Sequence, residues 1–275
     1  MRLALSSLRA GAAAVALSTA AACAPALTTQ QEVQAGADYA RQINAQLPLV
    51  RDQYTNQYIN QLGRQIAAQA DQRGIPYTFY VVNSDAVNAF AIPGGHIYVN
   101  RGTIERADNV SQLAGVLAHE IGHVAERHGI QQAQRAQNAN TMLGVLYSVL
   151  LRRNPGTVER AGIQVGGSAV FAGYSREAER EADRMAIGYL MRTGYNPNGL
   201  PQFFAKLQAE QRRNPSRVEQ WFATHPMSAE RVQNTQAAIS ATPGANSSRL
   251  VTDTREFQNF RARVRSLTPA PQDRR

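Results

Sequence analysis

His119-Glu120-Ile121-Gly122-His123 places two imidazoles four residues apart with a carboxylate between them. On a helix the two histidines project about 40° apart, so both rings can reach a single metal ion. Glu120 points to the side of that pair, where it can take a proton from a zinc-bound water instead of binding the ion. The chemistry this spacing predicts is metal-assisted hydrolysis with Glu120 as the base. Cys23 is the only cysteine, which excludes a thiolate cluster, so any metal must rest on histidines and carboxylates.

A third ligand has to come from elsewhere in the chain. His128 lies five residues past His123, on the far face of a continuous helix, and reads as a hydrogen-bonded structural residue; His96 likewise reads as structural. A third histidine six residues after the second, preceded by a glycine at the third, would mark a metzincin; Glu126 and Gly129 stand at those positions and exclude it. The acidic segment Glu177-Ala178-Glu179-Arg180-Glu181-Ala182-Asp183 is the better donor. Glu179 and Asp183 share one helical face, so one can bind metal while the other accepts a hydrogen bond from a ligating imidazole. Glu177 and Glu181 form the alternative pair and are equally suited to salt bridges with Arg176, Arg180 and Arg184. Spacing alone leaves both pairs open.

The elements that must carry these groups are legible from periodicity. Asn109 followed by Gln112 predicts a helix start. Val110, Leu113, Leu117, Ile121 and Val124 then define an apolar face opposite the two histidines, as an open site needs. Gly115 and Gly122 leave room for a neighbouring backbone. Upstream, residues 36–72 read as two helices separated at Pro48. Tyr77 to Val82, Val87 to Ala91 and His96 to Asn100 read as strands, the last two around Pro93-Gly94-Gly95. Downstream, a helix from about Ser175 to Thr193 is ended by Gly194, and helices follow over 199–213 and 226–240. His225 precedes Pro226 and is placed at a loop-to-helix junction. The apolar run Met142 to Leu151 is too short to span a bilayer. The pattern is α+β, a small sheet preceding a long helix.

Residues 1–22, with Arg2 and Arg9 before an alanine-rich run, read as a signal peptide, and residues 23–35 as a tether. Ala20-Ala21-Ala22-Cys23 resembles a bacterial lipobox, which implies acylation of Cys23; cleavage after Ala22 at an Ala-x-Ala site is the alternative. Net charge is +9, carried by 29 cationic side chains that are all arginine except Lys206 and are scattered along the chain. That distribution argues against a nucleic-acid partner and for a solvated surface able to approach anionic headgroups. Residues 263–275 read as a disordered tail.

Together, His119-Glu-x-x-His123, the later Glu179-x-x-Ala182-Asp183, and the preceding Asn88-Ala89-Phe90-Ala91 and Pro93-Gly94-Gly95 resemble the M48 metallopeptidases over residues 36–240. The likeness is to their periplasmic lipoprotein branch, in a short form without tetratricopeptide repeats. The resemblance implies a mainly helical α+β domain of gluzincin type over 36–262, with 129–173 as an insert or lid and a small sheet whose edge strand flanks a zinc site. It implies one zinc ion on His119, His123 and Glu179, Glu120 as catalytic base, and Asp183 behind a ligating imidazole. Asn88, Ala89 and Phe90 would receive an extended substrate as an added strand. His225, with Arg231 six residues on, would be a fourth ligand in a latent state or an oxyanion stabiliser, a helix cap being the alternative. The implied function is endoproteolysis of unfolded or misassembled envelope proteins in the bacterial periplasm. Ala24, where sorting to the inner membrane would favour Asp, implies a membrane partner reached through an outer-membrane lipid anchor. A chaperone or assembly adaptor that holds extended segments in the same cleft without cutting is the alternative.

Overall fold

A computed structural model describes residues 27–135, 173–226 and 229–269. Cys23, the run Met142 to Leu151 and most of the insert lie outside the described residues. Helix α1 (Thr29–Gln46) begins inside the segment read as tether. The reason is local: Thr28 and Gln31 form a reciprocal capping box, Gln31 N donating to Thr28 Oγ1 at 3.2 Å and Thr28 N to Gln31 Oε1 at 2.9 Å. Helix α2 (Gln53–Ala70) follows Pro48, is capped by Asp52, and buries Ile59, Leu62 and Ile66 as its spacing predicts.

Strands β1 (Thr78–Val82), β2 (Ala89–Ile92) and β3 (His96–Asn100) form a sheet of order β1-β3-β2. β1 runs parallel to β3 and β2 antiparallel to it. Alternation divides the side chains. Phe79, Val81, Ala89, Ala91, Ile97 and Val99 enter the main core, whereas Val82, Phe90, Ile92 and Tyr98 pack with Ala40 and Ile43 of α1 and with Leu47 at its C-cap. β2 starts two residues later than the sequence predicts, because Asn88 N donates to Thr103 Oγ1 at 2.9 Å instead of to the sheet. Thr103 lies on a short helix, α3 (Arg101–Arg106), that the sequence does not announce.

Helix α4 (Val110–Ala125) carries the histidine motif. Asn109 caps it, accepting from Gln112 N at 3.1 Å, and the Gln112 amide oxygen accepts from Asp108 N at 2.9 Å, one residue before the cap. Every residue from Val110 to Val124 is buried. The histidine face is therefore covered rather than open, because later helices pack over it. Arg127 adopts a left-handed conformation (φ 58°) and redirects the chain into α5 (His128–Arg135), so the helix through the motif does not continue to His128. Arg127 also ties down the N-terminal helix: its Nε lies 3.0 Å from buried Glu32 on α1, and its Nη2 donates to the Leu27 carbonyl at 2.5 Å.

Helix α6 (Arg176–Thr193) is capped by Ser175 and closed by Gly194 at φ 79°, both as predicted. Then come α7 (Gly199–Arg213), a 3-10 turn at Pro215–Arg217, α8 (Glu219–Thr224), α9 (Ala229–Ser240) and α10 (Arg255–Ser266). Helix α10 buries Phe257, Phe260 and Val264 against the core, and Tyr58 stacks on Phe260 at 4.2 Å. Residues 263–266 thus belong to the folded domain, which corrects the tail boundary read from the sequence. The architecture is α+β and predominantly helical, with α4 central between the sheet, α2, α6 and α7. No helix among the described residues is long and apolar enough to cross a membrane.

Candidate metal centre

Two glycines of α4 set how closely its neighbours approach. A Cβ at Gly122 would stand 3.2 Å from the Ala182 Cα of α6, and one at Gly115 would stand 3.0 Å from Leu200 of α7. Close packing of α4 on α6 brings Glu179 to the two histidines. His119 Nε2 and His123 Nε2 are 3.0 Å apart, and the Glu179 carboxylate lies 3.5 Å from the first and 3.4 Å from the second. His225, at the end of α8, adds its Nδ1 at 3.1 Å from Glu179 Oε1 and 3.4 Å from His119 Nε2. One ligand atom from each of these four residues falls within 4.8 Å of the others, and all four residues are buried.

The group fits a divalent cation. Two imidazole nitrogens face each other at 3.0 Å, and when both present lone pairs a shared cation satisfies them. Glu120 Oε1 and Oε2 are buried with no hydrogen-bond partner, although His225 Nε2 lies 3.3 Å from Oε1. With neutral imidazoles, the carboxylates of Glu120, Glu179 and Asp183 face one guanidinium among the described residues, that of Arg231, and all four groups are buried. Counted as ionised, these described carboxylates outnumber the guanidinium by two in a buried site, an imbalance that a doubly charged ion offsets. Two nitrogens and a carboxylate, with a third nitrogen at hand, are a donor set that suits zinc.

Asp183 sits where the helical spacing predicts, with Oδ1 2.9 Å from His119 Nδ1. It fixes the proton of that ring on Nδ1 and leaves Nε2 free to face the ligand group. Asp183 is itself gripped by Arg231 of α9, whose Nε and Nη2 donate at 2.6 and 2.8 Å, while Nη1 of the same guanidinium pairs with Glu179 Oε2. Burial disfavours ionisation of Glu179, but Arg231, His225 and the two histidines outweigh it and hold the carboxyl well below its ordinary range. Burial has the opposite outcome at Glu120, whose pKa is raised. Burial lowers His123, whereas at His119 the Asp183 and Glu179 hydrogen bonds overcome burial and raise the ring to about 9 in the metal-free chain.

β2 is the edge of the sheet nearest these groups. Asn100 N donates to Asn88 O at 2.9 Å, so alternation directs the backbone of Asn88, Phe90 and Ile92 toward β3 and that of Ala89 and Ala91 outward. His225 Nε2 meets the Ala89 carbonyl at 3.2 Å; only an N–H on that nitrogen makes the bond, which leaves the Nδ1 lone pair toward Glu179 and His119. Between Ala91, Ile92 and Pro93 on one side and His123, Val124 and Tyr174 on the other lies a cavity of about 10 Å³, room for about one water.

The alternative acidic pair is not at the site. Glu177 is exposed and pairs with Arg180, and Glu181 reaches Arg184 and His128. His96 bonds the Tyr80 hydroxyl at 3.2 Å on β3, consistent with a structural role. Sequence reasoning misses Tyr174, whose ring stacks on His123 at 3.8 Å, because nothing in its spacing marks it. Arg231 is named only by its distance from His225, and its grip on both Asp183 and Glu179 emerges from the packing of α9.

A helix-borne His-Glu-x-x-His pair joined by a glutamate from a second helix is the site of a zinc metallopeptidase. A model of peptidase family M48 matches residues 53–239. The beta-barrel assembly-enhancing protease of Yersinia pestis is 37% identical over 213 residues, 76% of this chain and 44% of that protein. Its counterpart in Escherichia coli K12 is 36% identical over 211 residues, covering 75% and 43%. Metalloprotease LoiP of the same organism is 30% identical over 188 residues, 66% of this chain and 68% of that protein. The chain therefore belongs to peptidase family M48. It spans less than half the length of the beta-barrel assembly-enhancing proteases it matches.

Proposed function

We propose that this chain is a zinc-dependent endopeptidase of unfolded or misassembled cell-envelope proteins, acting in the bacterial periplasm and tethered to the outer membrane by acylated Cys23. The observation that carries the reading is the buried group His119, His123, Glu179 and His225, with the buried Glu120 carboxylate beside it, 3.3 Å from His225 Nε2. The relatives named for beta-barrel assembly support an envelope substrate.

Zinc held by His119, His123 and Glu179 would supply Lewis acidity, making water a nucleophile near neutral pH and polarising the scissile carbonyl. Glu120 takes the proton of the attacking water and passes it to the leaving amine. Asp183 and Arg231 hold His119 and Glu179 in place. The outward N–H and C=O groups of Ala89 and Ala91 receive the substrate as an added strand, with Asn88 and Phe90 anchoring that strand to the sheet. Backbone recognition grips no chain terminus, so cleavage is internal. In the described arrangement the cavity beside Ala91 holds about one water, and strand addition requires it to widen. His225 lies within reach of the same group of ligand atoms, where it would be a fourth ligand or a stabiliser of the oxyanion, and its Nε2 meets the Ala89 carbonyl that a substrate strand would use.

The deciding experiment measures zinc content and casein cleavage for the wild type and Glu120→Gln side by side. About one zinc per chain in both, with cleavage only by the wild type, is the expected result. Zinc in both and cleavage by neither would move the holding-without-cutting reading to the front. Zinc in neither would overturn the metal assignment.

A further inference from the structure

His123 has a nitrogen that the metal centre does not use. Its Nδ1 lies 2.9 Å from His128 Nδ1, and His128 Nε2 lies 3.2 Å from Glu181 Oε2. We propose that His128 and Glu181 are positioning residues for the metal centre, forming a hydrogen-bonded chain that fixes the tautomer and the in-plane angle with which His123 presents Nε2 to the ion. This rests on the assignment of His123 as a zinc ligand.

The proton positions follow from the geometry. A ligating His123 offers the Nε2 lone pair, so its proton sits on Nδ1 and must be donated. The nearest acceptor is His128 Nδ1, which has to be bare; the proton of His128 is then on Nε2, where the Glu181 carboxylate accepts it. One assignment satisfies both bonds, and it runs in a single direction from the buried ligand to Glu181, whose side chain is 41% exposed. Tyr174 stacks on the His123 ring with an interplanar angle of 14° and resists tilting out of plane. The freedom that remains is rotation within the ring plane, which a bond at Nδ1 restricts.

The arrangement explains why α6 supports both histidines by different means. Asp183 meets His119 directly. Glu181 is two residues earlier and projects about 200° away around the helix, too far round to touch His123 itself. The left-handed Arg127 swings buried His128 into the gap and extends the reach of that carboxylate by one ring.

The test compares zinc affinity, by competition with a chromogenic chelator, and the visible spectrum of the cobalt-substituted protein, for the wild type, His128→Phe, His128→Asn and Glu181→Gln. Thermal unfolding in chelator reports the metal-free fold separately. His128→Phe keeps ring volume and should weaken zinc binding by about 10–100-fold and shift the cobalt bands. His128→Asn retains an acceptor near the position of Nδ1 and should restore most of the affinity. Glu181→Gln, on a partly exposed residue, should weaken binding in the same direction by a smaller factor with no change in metal-free unfolding. Wild-type affinity in His128→Phe, or in Glu181→Gln if His128→Phe does not fold, overturns the inference. So does His128→Asn behaving no better than His128→Phe, which would make His128 core packing alone. A wild type that binds no zinc would instead overturn the metal assignment.

Discussion

Asp183 shows what a single carboxylate does at this site. It accepts from His119 and from two nitrogens of Arg231, so it both aims a ligand and neutralises a buried cation. Asp183→Asn keeps an acceptor for the imidazole but leaves Arg231 without half of its counter-charge. Chelator competition should show zinc affinity reduced by about 10–100-fold, and casein cleavage at saturating zinc should recover in part. His225→Ala separates the two roles that its position allows: faster cleavage with slightly weaker zinc binding identifies a resident fourth ligand that substrate must displace, and slower cleavage at equal zinc content identifies a group that stabilises the developing oxyanion. At this scale much of the site was legible in the sequence. His119, Glu120 and His123 follow from spacing, whereas Glu179 with Asp183 is one of two acidic pairs that spacing leaves open and is singled out by the family resemblance. The partner of His123 was hidden, since the spacing of His128 assumes a continuous helix and a single left-handed residue, Arg127, breaks it.

The helices that carry these residues depend on contacts between elements. Asp71 closes α2 and accepts from Arg73 through its backbone N at 2.9 Å and its Nη2 at 2.7 Å, and from the Tyr77 hydroxyl at 2.9 Å. Arg73 in turn donates to the Val124 carbonyl at the end of α4 and pairs with Glu32 of α1. Burial pushes the Asp71 carboxyl upward, and these donors outweigh burial and leave it below its ordinary value. A lowered folded-state pKa contributes stability that is complete above the unfolded value of about 3.9 and is lost as pH falls through the folded one. Denaturant midpoints for Asp71→Asn should therefore lie further below the wild type at pH 7 than at pH 3; equal gaps at both would show that the charge is not what matters. Gly36 of α1 gives a steric counterpart. A Cβ there would stand 2.0 Å from the Pro93 carbonyl oxygen, so Gly36→Ala should destabilise the domain by about 1–3 kcal/mol in chemical denaturation through backbone displacement. Helices with strong caps, such as α6 between Ser175 and Gly194, were readable nearly to the residue. Six-residue helices such as α3 and α8 were not, because less than two turns give no period. The burial of α4 all round escaped for a related reason: Ala114, Ala118 and Gly115 carry little apolar signal, yet their small size is what lets α6 and α7 close over that face.

For the molecule as a whole, one contact near its N-terminus sets a length. The Leu27 carbonyl is held by Arg127, one turn beyond His123. If Cys23 is acylated as proposed, Leu27 stands four residues on from the lipid-bearing position, and a fully extended chain of that length spans at most about 14 Å. The lipid-bearing position then lies within that reach of Leu27, beside the end of α4. Such an anchor would confine hydrolysis to chains lying within a few nanometres of the membrane. Twenty Gly and Ser residues inserted between residues 25 and 26 should leave zinc content and casein cleavage of the detergent-solubilised protein unchanged while reducing cleavage of a membrane-inserted substrate, and equal cleavage of both substrates would show that the short reach has no consequence.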